Sequence, residues 1–206
     1  FGRENIVRPE AAACGELIYD ILSDLGPITP EMALPLYVAV STDTGCFVYG
    51  NTTARTHRVA ADLIEVGIPY RDANKRHFRT KSAKRLKLES ILMQGLELLQ
   101  GGTLAIGSLS LADMAAVGAT EEDAEDIAAF IGQVEGVYHS VTIRELKEGE
   151  CKLSVRTNPA KLNATRVCAL LGGGGHAAAA GCTVWGGVDD AKREILKAIR
   201  TVQHGG

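Results

Sequence analysis

The chain has 206 residues, 46% of them apolar and 23% charged, with 22 Lys and Arg against 25 acids and a net charge of −3. That is enough chain to bury a core in one large unit or two small ones. The charge balance excludes a molecule drawn to nucleic acid by its overall field, so any anion binding has to be local.

Leu17, Ile18, Ile21, Leu22 and Leu25 recur at three- and four-residue spacing and predict a helix over 9–25, ended by Gly26-Pro27. The sequence runs from Phe1 almost at once into this helix, as a piece beginning within a domain would. The apolar run over 36–40 reads as a buried strand stopped by the turn residues Ser41-Thr42-Asp43-Thr44-Gly45. Next, NTTARTHRVAADLIEVG predicts a helix with Thr52 or Thr53 as N-cap and Gly67 beyond its end. Helix, strand, loop and helix in that order suggest an α/β layer with a largely parallel sheet.

Residues 71–87 carry eight Lys or Arg and one Asp, and Leu88, Ile91, Leu92, Leu96 and Leu99 continue at helical spacing. This stretch predicts a long helix linking two domains and closed by Gly101-Gly102. Its basic run is either a solvated helix face or a wall for a nucleic-acid backbone. Beyond Gly102 the pattern changes: TLAIGSLS, VYHSVTIRE and CKLSVRTN are short β-rich runs, with a helix EEDAEDIAAFIGQV after the first. A helix over about 160–171, a glycine run, a strand GCTVW and a final helix VDDAKREILKAIRTV complete a second, mixed α/β domain over 102–206.

The five cysteines, odd in number, show no C-x-x-C spacing, and the five histidines form no pair at helical spacing. Neither a zinc site nor a disulfide framework is expected, and a reducing cytoplasm is the default compartment. No apolar run is long enough to cross a bilayer, and the first residues do not read as a charged-then-apolar leader.

Three stretches could carry chemistry. Asp43 stands where open α/β sheets place ligands, just past the expected strand; it is either a turn carboxylate bonding nearby N–H groups or a ligand for Mn²⁺ or Mg²⁺. Arg156, in SVRTN, is either ordinary surface or a fork of donors suited to phosphate. In LLGGGGHAAAAGCTV, Gly172 to Gly175 form either a hinge or an anion nest of backbone N–H groups. His176 beside them can donate a hydrogen bond to phosphate or shuttle a proton.

GGGGHAAAAG over 172–181 resembles the glycine-rich signature of the DHHA1 domain, and SVRTN upstream sits where that domain carries its substrate-binding arginine. STDTGCFVYGNTTARTHRVAADLIEVG is similar to the fourth metal-binding motif of the DHH phosphoesterase domain, and NIVRPEAAACGELIYDIL to the segment after the Asp-His-His triplet. The nearest subgroup resembles the nanoRNases and phosphoadenosine phosphatases. The resemblance implies the C-terminal part of a parallel-sheet DHH domain over 1–78, a linker helix over 79–101 and a mixed α/β DHHA1 substrate-binding domain over 102–206. It also implies a cytoplasmic, two-Mn²⁺ phosphoesterase of short RNA or DNA oligonucleotides, linear dinucleotides or 3′,5′-bisphosphonucleosides. In that reading Asp43 is a metal ligand, and Arg156, Gly174, Gly175 and His176 grip the substrate phosphate. Oligomeric state stays open, with a homodimer through the first domain the common family arrangement.

The family's first three motifs, an Asp-x-Asp pair, a lone Asp and the Asp-His-His triplet, are absent, and Phe1 stands where the triplet would end. The expectation is an incomplete metal site and an inactive piece of an active parent. The alternatives are a RecJ-like single-strand exonuclease fragment and a non-catalytic DHHA1 module of the kind appended to alanyl-tRNA synthetases. A DHH-type pyrophosphatase is disfavoured by the GGGGH signature.

Overall fold

A computed structural model describes residues 5–204; Phe1, where the end of the Asp-His-His triplet was expected, lies outside them. The chain divides into two compact units, Phe1–Thr80 and Lys81–Gly206.

The described part of the first unit holds four helices and no strand: α1 (Cys14–Leu25), α2 (Pro30–Asp43), α3 (Ala54–Glu65) and α4 (Tyr70–Phe78). The strand expected over 36–40 is therefore part of α2. Ala33, Leu36, Tyr37 and Val40 are its buried apolar residues, at helical spacing, and they pack with Val59, Ala60 and Leu63 of α3. A short apolar run looks alike in a buried strand and in a helix covered on most sides. Pro30 opens α2 at a position that needs no N–H donor. Helix α3 starts at Thr53, whose Oγ1 accepts from the Thr56 N–H (3.2 Å) while Thr56 Oγ1 accepts from the Thr53 N–H (3.1 Å).

The single long helix expected over 71–101, and with it the linker helix over 79–101, is broken. Helix α4 ends at Phe78, and Ser82 caps a separate helix, α5 (Ala83–Gln94), by accepting from the Arg85 N–H (3.0 Å). After α5 come β1 (Glu97–Leu99) and a 3₁₀ turn at Gln100–Gly102. Within the basic run, Lys81 and Arg85 are neither free nor simply solvated. They hold Glu89, 4% exposed, at 2.8 and 2.9 Å.

The second unit is built on one six-stranded sheet in the order β1-β2-β3-β4-β6-β5, with β2 (Leu104–Leu109), β3 (His139–Lys147), β4 (Glu150–Thr157), β5 (Gly174–His176) and β6 (Ala179–Trp185). Only β2 and β3 run parallel. Their crossover carries α6 (Leu111–Val117) and three 3₁₀ turns at Glu122–Ala124, Ile127–Ala129 and Ile131–Gln133, where one longer helix was expected. The remaining helices are α7 (Ala164–Ala169) and α8 (Val188–His204).

One sheet face is apolar. Leu104, Ile106, Val141, Ile143, Leu153 and Val155 pack against Val167 of α7 and Ile195 and Ile199 of α8. The opposite face is covered over β2 by α5 and the 3₁₀ turns, through Leu88, Leu92, Ala105, Leu109, Ile127 and Ile131. All five cysteines are free thiols. No helix of the described residues is long and apolar enough to cross a membrane.

The glycine run holds α7 against β6. A Cβ on Gly173 would lie 2.2 Å from the Gly181 carbonyl oxygen and 2.5 Å from Cys182 Cβ, so the backbone approaches closer than any side chain permits. Gly173→Ala is expected to cost several kcal/mol, roughly 3, as an overpacked core position does; thermal denaturation of the variant checks it. His139 is 6% exposed with Nδ1 unpartnered among the described residues, and burial, helped by Lys161, holds its pKa below the ordinary histidine value. The unfolded chain therefore takes up a proton that the folded chain refuses. Stability should fall as pH drops below the unfolded value of ~6.5, by at most ~1.4 kcal/mol per pH unit from this group. His139→Gln should flatten that slope in urea titrations at pH 7.5 and 5.5.

Candidate functional site

Strand β4 reads ECKLSVRT and alternates strictly. Cys151, Leu153 and Val155 face the buried side, leaving Lys152, Ser154 and Arg156 on the other. The register carries this alternation across the sheet. Arg156 pairs with Ala179 of β6, and Ala179 pairs with His176 of β5. Residues on one rung share a face, so Arg156 and His176 lie on the same side, two strand spacings or ~10 Å apart at the backbone. Between them stands only the methyl group of Ala179. Next along, Ser154, Gly181 and Gly174 share a rung, and beyond that Arg144, Lys152 and Thr183 do. The result is a floor of small residues with cations along it, open over β4, β6 and β5.

Two hollows open on this face. One, of about 460 Å³, is bounded by Arg144, Lys152, Ser154 and Arg156 on the sheet and by acids of the crossover, including Glu122 and Glu125, on the other wall. The second, of about 570 Å³, runs over Lys152, Gly172, Gly173, Gly181, Thr183 and Trp185. Arg144 lies 3.1 Å from Glu121. Among the described residues neither Arg156 nor Lys152 forms an ion pair; Arg156 makes one bond, from Nη1 to the Val155 carbonyl (3.2 Å).

The four-glycine nest expected over Gly172 to Gly175 is not formed. The Gly172 N–H donates to Ala169 O (3.1 Å) and the Gly173 N–H to Cys168 O (2.8 Å), closing the end of α7. Gly174 and Gly175 belong to β5, at the sheet edge, where only alternate backbone groups face outward. Gly175 has φ +145° and no room for a Cβ beside Ala180, and its carbonyl accepts from the Thr165 hydroxyl (2.9 Å). The hairpin tip is tied as well: the Ala177 carbonyl accepts from the Ala164 N–H (2.8 Å) and the Ala178 carbonyl from the Thr157 N–H (2.9 Å). A slack hinge is therefore excluded. Gly174 alone of the four meets nothing within 4 Å and has no left-handed φ. Nothing inside the chain demands glycine there.

Asp43 belongs to the first unit. It is the last residue of α2 and exposed, where a position just beyond a strand was expected. Its carbonyl accepts from Asn51 Nδ2 (3.1 Å), and its carboxylate takes no hydrogen bond from the described residues. A carboxylate at a helix C-terminus faces the negative end of the helix dipole, so the position does not stabilise it locally. The turn beyond is strained: Gly45, Cys46 and Phe47 have φ of 55°, 57° and 67°. Among the described residues no three His, Cys, Asp or Glu side chains cluster as metal ligands. Among the described residues Asp43 is the one carboxylate that the resemblance marks as a candidate ligand for Mn²⁺.

Residues 112–204 match the family model described as the DHHA1 domain. Over 203 residues, 97% of the chain, the sequence is 36% identical to the bifunctional oligoribonuclease and PAP phosphatase NrnA of Thermus thermophilus. It is 25% identical over 182 residues, 88% of the chain, to the probable bifunctional oligoribonuclease and PAP phosphatase NrnA of Streptococcus mutans. The chain spans about 60% of the length of these relatives (60% and 57%). An exopolyphosphatase-related protein from Bacteroides fragilis shares the fold, with TM-score 0.89 and 24% identity over 98% of this chain and 60% of that one. The DHH/DHHA1 resemblance read from the motifs holds, and so does the α/β class.

Sequence reading singled out Arg156 and His176 in the DHHA1 domain but passed over Lys152, Ser154 and Trp185. The period-2 alternation of CKLSVR was the available signal, since Lys152 and Ser154 follow from Arg156 at steps of two. Gly174→Ala should leave the melting temperature within about 2 °C of the parent, because surface changes stay within ~0.5 kcal/mol. If Gly174 is kept small for an incoming ligand, the same variant should lose affinity for adenosine 3′,5′-bisphosphate in calorimetric titration.

Proposed function

We propose that this chain forms the phosphate-holding part of a phosphoesterase acting on short oligonucleotides, linear dinucleotides and 3′,5′-bisphosphonucleosides. The observation that carries this reading is the rung on which Arg156 and His176 face the same way across Ala179. A guanidinium without an ion-pair partner presents two parallel N–H groups to two phosphate oxygens. The His176 imidazole donates to a third oxygen or passes a proton to a leaving oxygen. Gly174 and Gly175 leave the backbone bare, so the phosphate can settle against the strand edge. Fixed donors of this kind neutralise charge that builds up on phosphorus and orient the ester. The names of the relatives, an oligoribonuclease and PAP phosphatase in each case, support the substrate class.

Asp43 enters this reading as one metal-ligand carboxylate and no more. Its exposed position and the strained turn after it support that role, but no step of phosphate holding depends on it.

The test is NMR titration of the 206-residue chain with adenosine 3′,5′-bisphosphate. Saturable shifts are expected at Gly174, His176 and Arg156. Arg156→Ala should weaken binding roughly 10- to 100-fold, the worth of a charge-assisted pair, with Arg156→Lys intermediate and the melting temperature unchanged. Affinity within twofold of the parent in Arg156→Ala would refute the phosphate grip.

A further inference from the structure

The chain has one tryptophan, and it is not in a core. Trp185, the last residue of β6, is 72% exposed, although a ring of this size is usually buried for its hydrophobic worth. By register it lies on the same face as Ala179, Gly181 and Thr183, and hence as His176, Arg156, Ser154 and Lys152. Lys147 Nζ stands 5.6 Å from the ring centroid, and Glu150, opposite Trp185 on β4, is neutralised by Lys147 at 2.8 Å. Lys152 is exposed, forms no ion pair among the described residues, and lines both hollows of the open face.

The spacings are those of a track. Lys152 precedes Arg156 by four residues of β4, ~13 Å along the strand, farther than one nucleotide reaches between its own phosphates. Trp185 lies two residues of β6 past the Lys152–Thr183 rung, ~7 Å further in the same direction. The floor between is Ser154, Gly181 and Thr183, which leaves room for a sugar–phosphate chain. The acids Glu122 and Glu125 repel phosphate on the far side of the first hollow and confine the path to β4 and β6. A cationic groove leading to an exposed aromatic ring is how single strands are held without regard to sequence, each base offering a π-face.

We infer that Lys152 and Trp185 form a second nucleotide subsite, in which Lys152 binds a further phosphate and Trp185 stacks a base of an oligonucleotide whose terminal phosphate is held at Arg156 and His176. This rests on the phosphate-holding reading above and narrows the substrates that use the second subsite to strands of three or more nucleotides lying along β4 and β6. Mononucleotide bisphosphates would use the Arg156–His176 end alone.

Because Trp185 is the single tryptophan, its fluorescence reports the subsite without any need for turnover. A 5′-phosphorylated triadenylate titrated into the 206-residue chain is expected to quench Trp185 emission saturably, and adenosine 3′,5′-bisphosphate to leave it unchanged while shifting the His176 and Gly174 amide signals. Trp185→Leu and Lys152→Ala should each weaken the trinucleotide about tenfold, the lower range for a lost stacking contact, and leave the bisphosphate affinity alone. Trinucleotide binding at His176 with Trp185 emission unchanged would overturn the subsite and leave the phosphate reading standing, as would equal weakening of both ligands by Lys152→Ala. Failure of both ligands to shift Gly174 and His176 would overturn both readings.

Discussion

The register between β4 and β6 is the constraint on which the second unit depends. Cys151, Leu153 and Val155 must face α7 and α8, because the apolar core has no other source of side chains from the fourth strand. A strand alternates, so Lys152, Ser154 and Arg156 are forced onto the opposite face. Slipping the pairing by one residue would bury a guanidinium and expose a leucine, a change far too costly to be populated. Arg156 is therefore aimed by the packing of its neighbours and not by any ion pair of its own among the described residues.

Each glycine of the run answers to a different force. Gly172, at φ 74°, and Gly173 terminate α7 through their N–H groups, and Gly173 also admits the β6 backbone where a Cβ cannot fit. Gly175 combines an unusual φ with close approach to Ala180. These internal demands make the hairpin stiff, which suits a surface that must hold donors at fixed positions. Gly174, free of such demands, is left as the residue whose smallness serves something outside the chain.

The first unit stores strain beside its one candidate ligand. Cys46 and Phe47 occupy the left-handed region without being glycine, at a cost of ~1–2 kcal/mol each. The cost is offset locally. The Cys46 N–H donates to Ser41 O (2.7 Å), the Phe47 N–H to Thr44 Oγ1 (3.2 Å), and the Phe47 ring stacks on His57 at 5.2 Å. Asp43 sits directly before this turn, and the over-determined backbone holds the end of α2 in one conformation.

By itself the sequence determined the elements whose signals are local. The β-rich run CKLSVRTN placed a strand, VDDAKREILKAIRTV placed α8, and Thr52 or Thr53 was marked as the cap of α3, of which the structure uses Thr53. It did not determine α2, because LPLYVAV is apolar enough for either period and the surrounding helices decide which is buried. Nor did it show the break at 79–82, where Ser82 caps a new helix within an otherwise continuous pattern. Only the tertiary structure decided that Arg156, Ala179 and His176 share a rung and that Lys152 and Trp185 lie on the same open face. Strand pairing joins residues far apart in the chain, and which rows meet is settled by the packing of the buried side, not by any motif on the exposed one.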